Sequence, residues 1–135
     1  MAFRRTPNQR KQNRKEGTLR RELRHYISGA QTTGAKVRFV ATEAGDLVST
    51  KLRLETVNTG ATFIGDLHKN GTTVYTTQAR RPTIADGAAS KQSTESGAIE
   101  VKSFVAGDVL EFQVDQIGST VAGSDLSLVI VYDAK

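Results

Sequence analysis

The side chains most often used in catalysis are few in this sequence and poorly spaced for it. There is no cysteine, which excludes thiol nucleophiles and zinc–thiolate sites. The two histidines, His25 and His68, lie far apart, one in a basic N-terminal stretch and the other beside a predicted turn. Neither has a nucleophile or a metal-ligand partner at a characteristic spacing, and we interpret His68, beside the turn, as a solvated side chain.

Four carboxylates of the C-terminal third are the other candidates for acid–base chemistry: Asp108, Glu111, Asp115 and Asp125. Glu111 and Asp115 share a face of one predicted strand, but so does every charge on that face, which favours a solvated surface over a catalytic pair. The acidic loop 119–125 offers two carboxylates at most, fewer than a calcium cage needs. We therefore expect no enzyme, no cofactor and no metal site.

Charge is divided unevenly along the 135 residues. The net charge of +5 separates into +7 for residues 1–28, with nine Lys/Arg against two Glu, and −2 for residues 29–135, with ten basic against twelve acidic side chains. No apolar run approaches the roughly 20 residues of a membrane helix, and the N-terminus lacks a signal-peptide core. The sequence predicts a soluble protein, made in the host cytoplasm, with a near-neutral body and a basic arm.

Residues 1–34 are predicted to form this arm, extended and partly helical. Residues 1–15 have almost nothing apolar after Phe3, so alone they cannot offset the entropy of ordering. Between residues 16 and 27 the apolar side chains fall at i, i+4, i+7 and i+8, which predicts a short helix with one apolar stripe: Leu19, Leu23, Tyr26 and Ile27. Residues 29–34 form a linker, and the fully extended arm would reach on the order of 100 Å.

Residues 35–135 are predicted to form one β domain, because strand patterns recur at short spacing. The predicted strands are 36–42, 47–57, 61–68, 72–77, 98–104, 110–115 and 126–132. Asn70-Gly71 is the preferred pair for a tight hairpin turn, and a glycine-containing loop joins the last two strands as a second antiparallel pair. Residues 80–94 are predicted to be a surface loop held by Ile84.

Seven or eight strands with no convincing helix in the body predict an all-β fold, a jelly-roll-like antiparallel β-sandwich. Alternation along the strands selects the residues of its core. The predicted core comprises Phe39, Leu52, Leu54, Phe63, Leu67, Val74, Ile99, Val101, Leu110, Phe112, Val114, Leu126, Leu128 and Ile130.

Three stretches carry a resemblance to a known family: LHKNGTTVY, RRPTIADG and FVAGDVLEFQVDQIGSTVAGSDLSLVIVY. They resemble a β domain that recurs in structural proteins of tailed bacteriophages, with the matching residues at 66–73, 81–87 and 104–131. The resemblance covers about the last 75 residues and implies a virion component: a tail-fibre or baseplate module, or a head-surface protein. It does not extend to the basic arm.

Three functions are compatible with these features. The first is a capsid cement or decoration protein on the head surface, a homotrimer whose arm binds the major capsid protein or other virion subunits. The second is a tail- or fibre-associated module, and the third is a nucleic-acid-binding protein that uses the arm against phosphates. The predicted capsid-binding residues are Arg4, Arg5, Arg10, Lys11, Arg14, Lys15, Leu19, Leu23, Tyr26 and Ile27. Val109, Val129 and Val131, apolar residues on otherwise wet strand faces, are the predicted oligomer interface.

Overall fold

The computed structural model describes residues 19–94 and 97–135, and these residues form an all-β fold with one short 3-10 turn at Gln78–Arg80. The nine strands are β1 (Leu19–Ala30), β2 (Lys36–Val40), β3 (Gly45–Thr56), β4 (Phe63–Lys69), β5 (Thr72–Thr73), β6 (Thr83–Ile84), β7 (Ser103–Phe104), β8 (Val109–Gln116) and β9 (Ser124–Ala134). All-β architecture, predicted from the strand patterns, is confirmed.

The strands form two antiparallel sheets that enclose one apolar core. The first sheet has the order β1-β9-β3-β7; the second has the order β2-β8-β4-β5, with β6 beside β4. Strand pairing is nested along the chain, since β1 pairs with β9, β2 with β8, β3 with β7 and β4 with β5. Successive pairs alternate between the sheets, so the chain runs as one double-stranded ribbon wrapped around the core.

The core lies between the sheets and follows the alternation of the longest strands. In β8, Leu110, Phe112 and Val114 are buried while their neighbours are partly accessible. Of the predicted core residues, all are buried except Phe39 and Val101, which are partly buried against the same cluster. The core also contains five residues that were not predicted in it: Leu47, Tyr75, Ile84, Phe104 and Tyr132.

The predicted helix is wrong over the part that the structure describes, because Leu19–Ala30 is a strand. β1 pairs with β9 from Leu19 opposite Ala134 to Ile27 opposite Leu126. Leu23 and Ile27 lie on its inner face and pack against the core, whereas Tyr26 lies on the opposite face. β9 presents an open edge that satisfies the backbone of β1, and a separate helix would leave that edge unpaired. The predicted arm–body boundary at residue 34 therefore falls just after β1.

The last two strands do not form the predicted hairpin, since β8 belongs to the second sheet and β9 to the first. The loop between them crosses from one sheet to the other. It is held by Thr59, whose N–H donates to the Val121 carbonyl (2.9 Å) and whose carbonyl accepts from the Thr120 N–H (3.0 Å). Gly118 fits this crossing because a Cβ there would lie 1.9 Å from the Val121 carbonyl oxygen.

Two further local departures have visible causes. A bulge between Leu47 and Ser49 turns Leu47 into the core, while Val48 stays partly accessible. The predicted strand 98–104 is regular only at Ser103–Phe104. Before that point the N–H groups of Glu100 and Val101 both donate to the carbonyl of Val74, at 3.1 Å each, which interrupts a regular ladder.

Candidate interaction surface

The outer face of the first sheet carries a cationic groove. Cross-strand register places Val129 of β9 between Arg24 of β1 and Lys51 of β3, and Ser127 between Tyr26 and Arg53. Because opposite residues of an antiparallel pair point to the same face, these side chains form two adjacent rows. The groove above them encloses about 540 Å³, and its wall is completed by Gln92 and Ser93, which run beside β3.

Two of the three cations in this groove are already paired. Arg24 binds the carboxylate of Glu22, two residues away on β1, and Arg53 Nε lies 3.3 Å from Glu55 Oε1 on β3. Lys51 has no ion pair within residues 19–94 and 97–135. The groove therefore offers one unpaired ammonium group and two arginines whose partners are exposed enough to exchange.

The predicted capsid-binding residues separate into three groups. Arg4, Arg5, Arg10, Lys11, Arg14 and Lys15 lie outside the described residues. Leu23 and Ile27 are half-buried against the protein's own core, so their apolar surface already stabilises this fold. Leu19 and Tyr26 remain accessible, with 49% and 55% of their surface exposed. Desolvation, followed by a hydrogen bond with Asp125, raises the pKa of Tyr26.

The three predicted interface valines are not equally accessible. Val131 is 4% exposed, since its own chain covers it, while Val109 and Val129 are half-buried. Val129 lies in the floor of the cationic groove, and Val109 lies on the second sheet opposite Val40, which is 66% exposed. The accessible pair thus lies on two different sheets.

The four carboxylates considered for catalysis are held by four separate sets of contacts. Arg38 Nε donates to Glu111 at 2.6 Å and Arg81 Nη1 to Asp115 at 2.8 Å, while the Gly29 N–H donates to Asp125 at 2.8 Å. The hydrogen bond from Arg38 lowers the pKa of Glu111. Each carboxylate serves its own structural contact, and no two of them form an acid–base pair.

Asp108 closes the turn before β8. It accepts from the Val105 N–H at 2.9 Å and from Asn70 Nδ2 at 3.0 Å, and these two hydrogen bonds lower its pKa. Asn70 also accepts from the Val109 N–H at 2.9 Å, so the turn between β4 and β5 and the start of β8 are joined. Asn70 and Gly71 both have positive φ, 50° and 86°, as the predicted tight hairpin turn requires.

His68 lies in a polar cluster on the second sheet that the sequence did not reveal. Its Nε2 is 3.2 Å from Asp66 Oδ2 and 2.5 Å from Gln113 Nε2, and only 20% of its side chain is accessible. Asp66 is buried and also accepts from the Thr73 hydroxyl at 2.7 Å. Because that hydroxyl donates to Asp66 and does not face the imidazole, the cluster lacks a nucleophile–base contact. The i, i+2 spacing of Asp66 and His68 on one strand was the available signal.

Neither a metal site nor a membrane span is found in the described part of the chain. Residues 19–94 and 97–135 contain no group of three or more His, Asp or Glu side chains placed to hold a metal ion. The same residues include no helix with the length and hydropathy to cross a membrane.

Comparison with known proteins gave matches to solved structures alone. No protein-family model matches the sequence, and no curated protein does. A chain of the "Cyanophage Pam1 capsid asymmetric unit" is similar over 88% of this chain and 87% of its own length, with 14% identity and a TM-score of 0.47. The "Catalytic domain of GH87 alpha-1,3-glucanase in complex with nigerose" is similar over 88% of this chain, with 12% identity and a TM-score of 0.39.

The chain spans 26% of the length of the glucanase and most of the length of the capsid chain. With TM-scores below 0.5, neither likeness assigns a function, which has to be argued from the residues themselves.

Proposed function

We propose that this chain is a non-enzymatic structural protein of a phage virion, a capsid cement or decoration protein with a jelly-roll body and a basic N-terminal arm. The nested strand pairing supports the jelly-roll assignment, because a folded double-stranded ribbon is how eight strands make that fold. Jelly rolls recur in viral capsid proteins. The virion role itself rests on the sequence resemblance of residues 66–73, 81–87 and 104–131.

The observation that carries the cement proposal is the position of β1. It is an edge strand of the first sheet, and the chain before it holds six cations within residues 1–15. A basic segment that leaves an edge strand is well placed to lie across a neighbouring subunit, and charge-assisted hydrogen bonds to carboxylates would hold it there. The cationic groove around Lys51 extends the same charge onto the body.

The homotrimer stays a prediction. Val109 and Val129 are the part of its predicted contact that a partner is able to reach, whereas Val131 is buried by its own chain. Sedimentation of the Val129→Lys variant tests it, since a charge in that contact is expected to abolish the trimer.

The cement proposal is tested by locating the chain on particles and by binding to empty heads of the phage that encodes it. We expect electron microscopy of intact particles to find it on the head surface, and the purified full chain to bind empty heads. Replacing Arg4, Arg5, Arg10 and Lys11 with Gln is expected to weaken that binding, with the larger loss at low salt, since exposed ion pairs are screened at high salt.

Three other outcomes contradict the proposal in different ways. Density on the tail would favour a tail or fibre module. If the Gln variant bound empty heads normally but lost binding to DNA, the arm would be a nucleic-acid-binding element. If the Gln variant kept both its binding to empty heads and its binding to DNA, the arm cations would have no part in attachment. The variant Arg38→Gln is a matched control, because it removes a body cation on the opposite sheet.

A further inference from the structure

The outer edge of β1 is an unusually long unpaired strand edge. Its inner neighbour is β9, and within residues 19–94 and 97–135 no strand pairs with its other side. β1 has twelve residues, while the edge strands β5 and β7 have two each. Leu19 and Tyr26, two large apolar side chains, remain about half exposed along it. Long edges of this kind pair with another strand unless charge or shape prevents it.

We propose that β1 pairs with β1 of a second copy, antiparallel, in the register that places Leu23 opposite the partner's Leu23. Opposite residues in an antiparallel pair point to the same face. Joining the two sheets with their inner faces aligned therefore requires that inward residues meet inward residues, which restricts the register to those centred on a residue. The two-fold pair would join two four-stranded sheets into one of eight strands.

The order of side chains favours this register on the outer face. Glu22 lies opposite the partner's Arg24, and by symmetry Arg24 lies opposite the partner's Glu22. Within one chain these two residues already form an ion pair, with the side chain of Arg24 72% exposed. Pairing two copies would alternate four charges across the new junction. At the end of the row Arg20 lies opposite the partner's Tyr26, a cation next to an aromatic ring.

The inner face is complementary as well. Leu23 meets the partner's Leu23, and Leu19 meets the partner's Ile27, which would cover the exposed surface of Leu19. Arg21, opposite the partner's His25, is already neutralised by Glu43 at 2.8 Å. Apolar cross-strand pairs of this kind stabilise antiparallel strands.

The two adjacent registers, centred on Glu22 and on Arg24, are unfavourable because they place like charges opposite one another. Centring the pair on Glu22 sets that carboxylate against itself and Arg20 against the partner's Arg24. Centring it on Arg24 sets that guanidinium against itself. Like charges directly opposite destabilise a strand pair. Among the registers centred on Glu22, Leu23 and Arg24, the charges of this edge therefore favour the one centred on Leu23, with a second copy as the partner.

The proposal does not depend on the virion role or on the predicted trimer, because it uses the edge of β1 and neither sheet face. It also has a consequence for the arm. In this register Leu19 of each copy lies beside the partner's Ile27, so the N-terminal end of each β1, where the arm joins the body, lies against the partner.

A charge-exchange experiment on the full chain tests the pairing. The variants Glu22→Arg and Arg24→Glu each place like charges opposite one another, and each is expected to associate at least about tenfold more weakly in sedimentation equilibrium. When the two are mixed, the cation introduced at position 22 of one variant lies opposite the carboxylate introduced at position 24 of the other. The mixture is therefore expected to regain the association of the unchanged chain. Both side chains are exposed, and circular dichroism verifies that each variant folds.

The matched control is Glu55→Arg on β3. Glu55 and Arg53 form the same i, i+2 ion pair, but β3 is an inner strand of the sheet that already pairs with β9. It is expected to leave the association unchanged. The register is read by cross-linking, which is clean because the chain has no cysteine. Oxidising a mixture of Arg20→Cys and Tyr26→Cys is expected to give the mixed disulfide dimer, whereas self-linked dimers of either variant would indicate another register.

Several results would overturn the proposal. One is a full chain whose mass does not increase at concentrations up to about 1 mM. Another is a mixture of the two charge variants that stays as weak as each alone. A third is a Glu55→Arg variant that weakens association as much as Glu22→Arg, which would indicate general electrostatics. Preferential formation of Tyr26→Cys self-linked dimers would refute the register. None of these results would contradict the proposed role in a virion.

Discussion

Gly65 of β4 lies against the Phe112 ring of the neighbouring strand β8 and against Leu52 of the facing sheet, and its replacement by alanine gives the sharpest test of the packing. A Cβ on Gly65 would lie 2.5 Å from Cε2 and 2.8 Å from Cζ of Phe112, and 3.0 Å from Cδ1 of Leu52 on the facing sheet. Side-chain atoms do not tolerate such distances, so the Phe112 ring must shift within a core that has no spare room. Overpacking of this kind costs about 1–3 kcal/mol.

Part of that cost is offset, because alanine is favoured over glycine inside a strand by roughly 0.5–1 kcal/mol. We therefore expect Gly65→Ala to lower the free energy of unfolding by about 1 kcal/mol, the difference between the midpoints of the two terms. Urea unfolding followed by far-ultraviolet circular dichroism measures it. At this chain length the loss corresponds to a fall in melting temperature of about 3–5 °C.

A second substitution distinguishes overcrowding from other causes. Phe112→Leu removes the ring that the new methyl group meets, so the double variant Gly65→Ala with Phe112→Leu is expected to lose less stability than the sum of the two single variants. Gly71→Ala is the control: it is strained by its positive φ of 86°, and no atom lies within 4 Å of the added Cβ. Additive losses for Gly65 and Phe112, or rescue of Gly71→Ala by Phe112→Leu, would refute the reasoning.

Two further predictions concern acid stability and proteolysis. Hydrogen bonds from Val105 and Asn70 lower the pKa of Asp108 in the folded state. The stability that this carboxylate contributes is therefore fully present above its unfolded pKa of about 3.9, and it is lost as pH falls through the lower folded pKa. Asp108→Asn should flatten the loss of stability between about pH 5 and pH 2 in urea titrations, and an unchanged acid profile would contradict this. Because β1 is paired with β9, trypsin should cleave after Arg20 and Arg24 no faster than the chain unfolds globally. Mass spectrometry identifies the cleavage sites, and rapid cleavage of the native protein at either site would show that β1 detaches from the sheet.

The prediction of β1 as a helix shows where sequence periodicity stops being decisive. Leu19, Leu23 and Ile27 are spaced by four, and residues four apart share a face on a helix and on a strand alike. Including Tyr26 in the apolar stripe required a helix. In the strand Tyr26 lies on the opposite face, where 55% of its surface stays exposed. The deciding factor was the free edge of β9, about one hundred residues away, which no local pattern contains.

The difference between a local pattern and a distant pairing partner also separates the correct predictions about the C-terminal region from the incorrect one. Alternation in β8 is a property of that strand alone, and it was predicted correctly. Whether β8 and β9 pair with each other depends on the loop between them. Glycines in that loop suggested a hairpin, but contacts with Thr59 direct it across to the other sheet. For the site, the i, i+2 pair Arg53–Glu55 lies in a strand that the sequence predicted, whereas the predicted helix concealed the pair Glu22–Arg24.

Placing β1 in the sheet changes what the arm is able to do. If residues 19–34 belonged to the arm, their extended length would add about 55 Å to its reach, and Leu23 and Ile27 would be available to a capsid subunit. In the structure those two side chains stabilise the protein's own core, so the apolar surface left for attachment is that of Leu19 and Tyr26. Attachment through the arm would then depend mainly on its cations and weaken with salt. If β1 edges also pair, Leu19 is covered, and a strong salt dependence becomes the expected signature of cement binding.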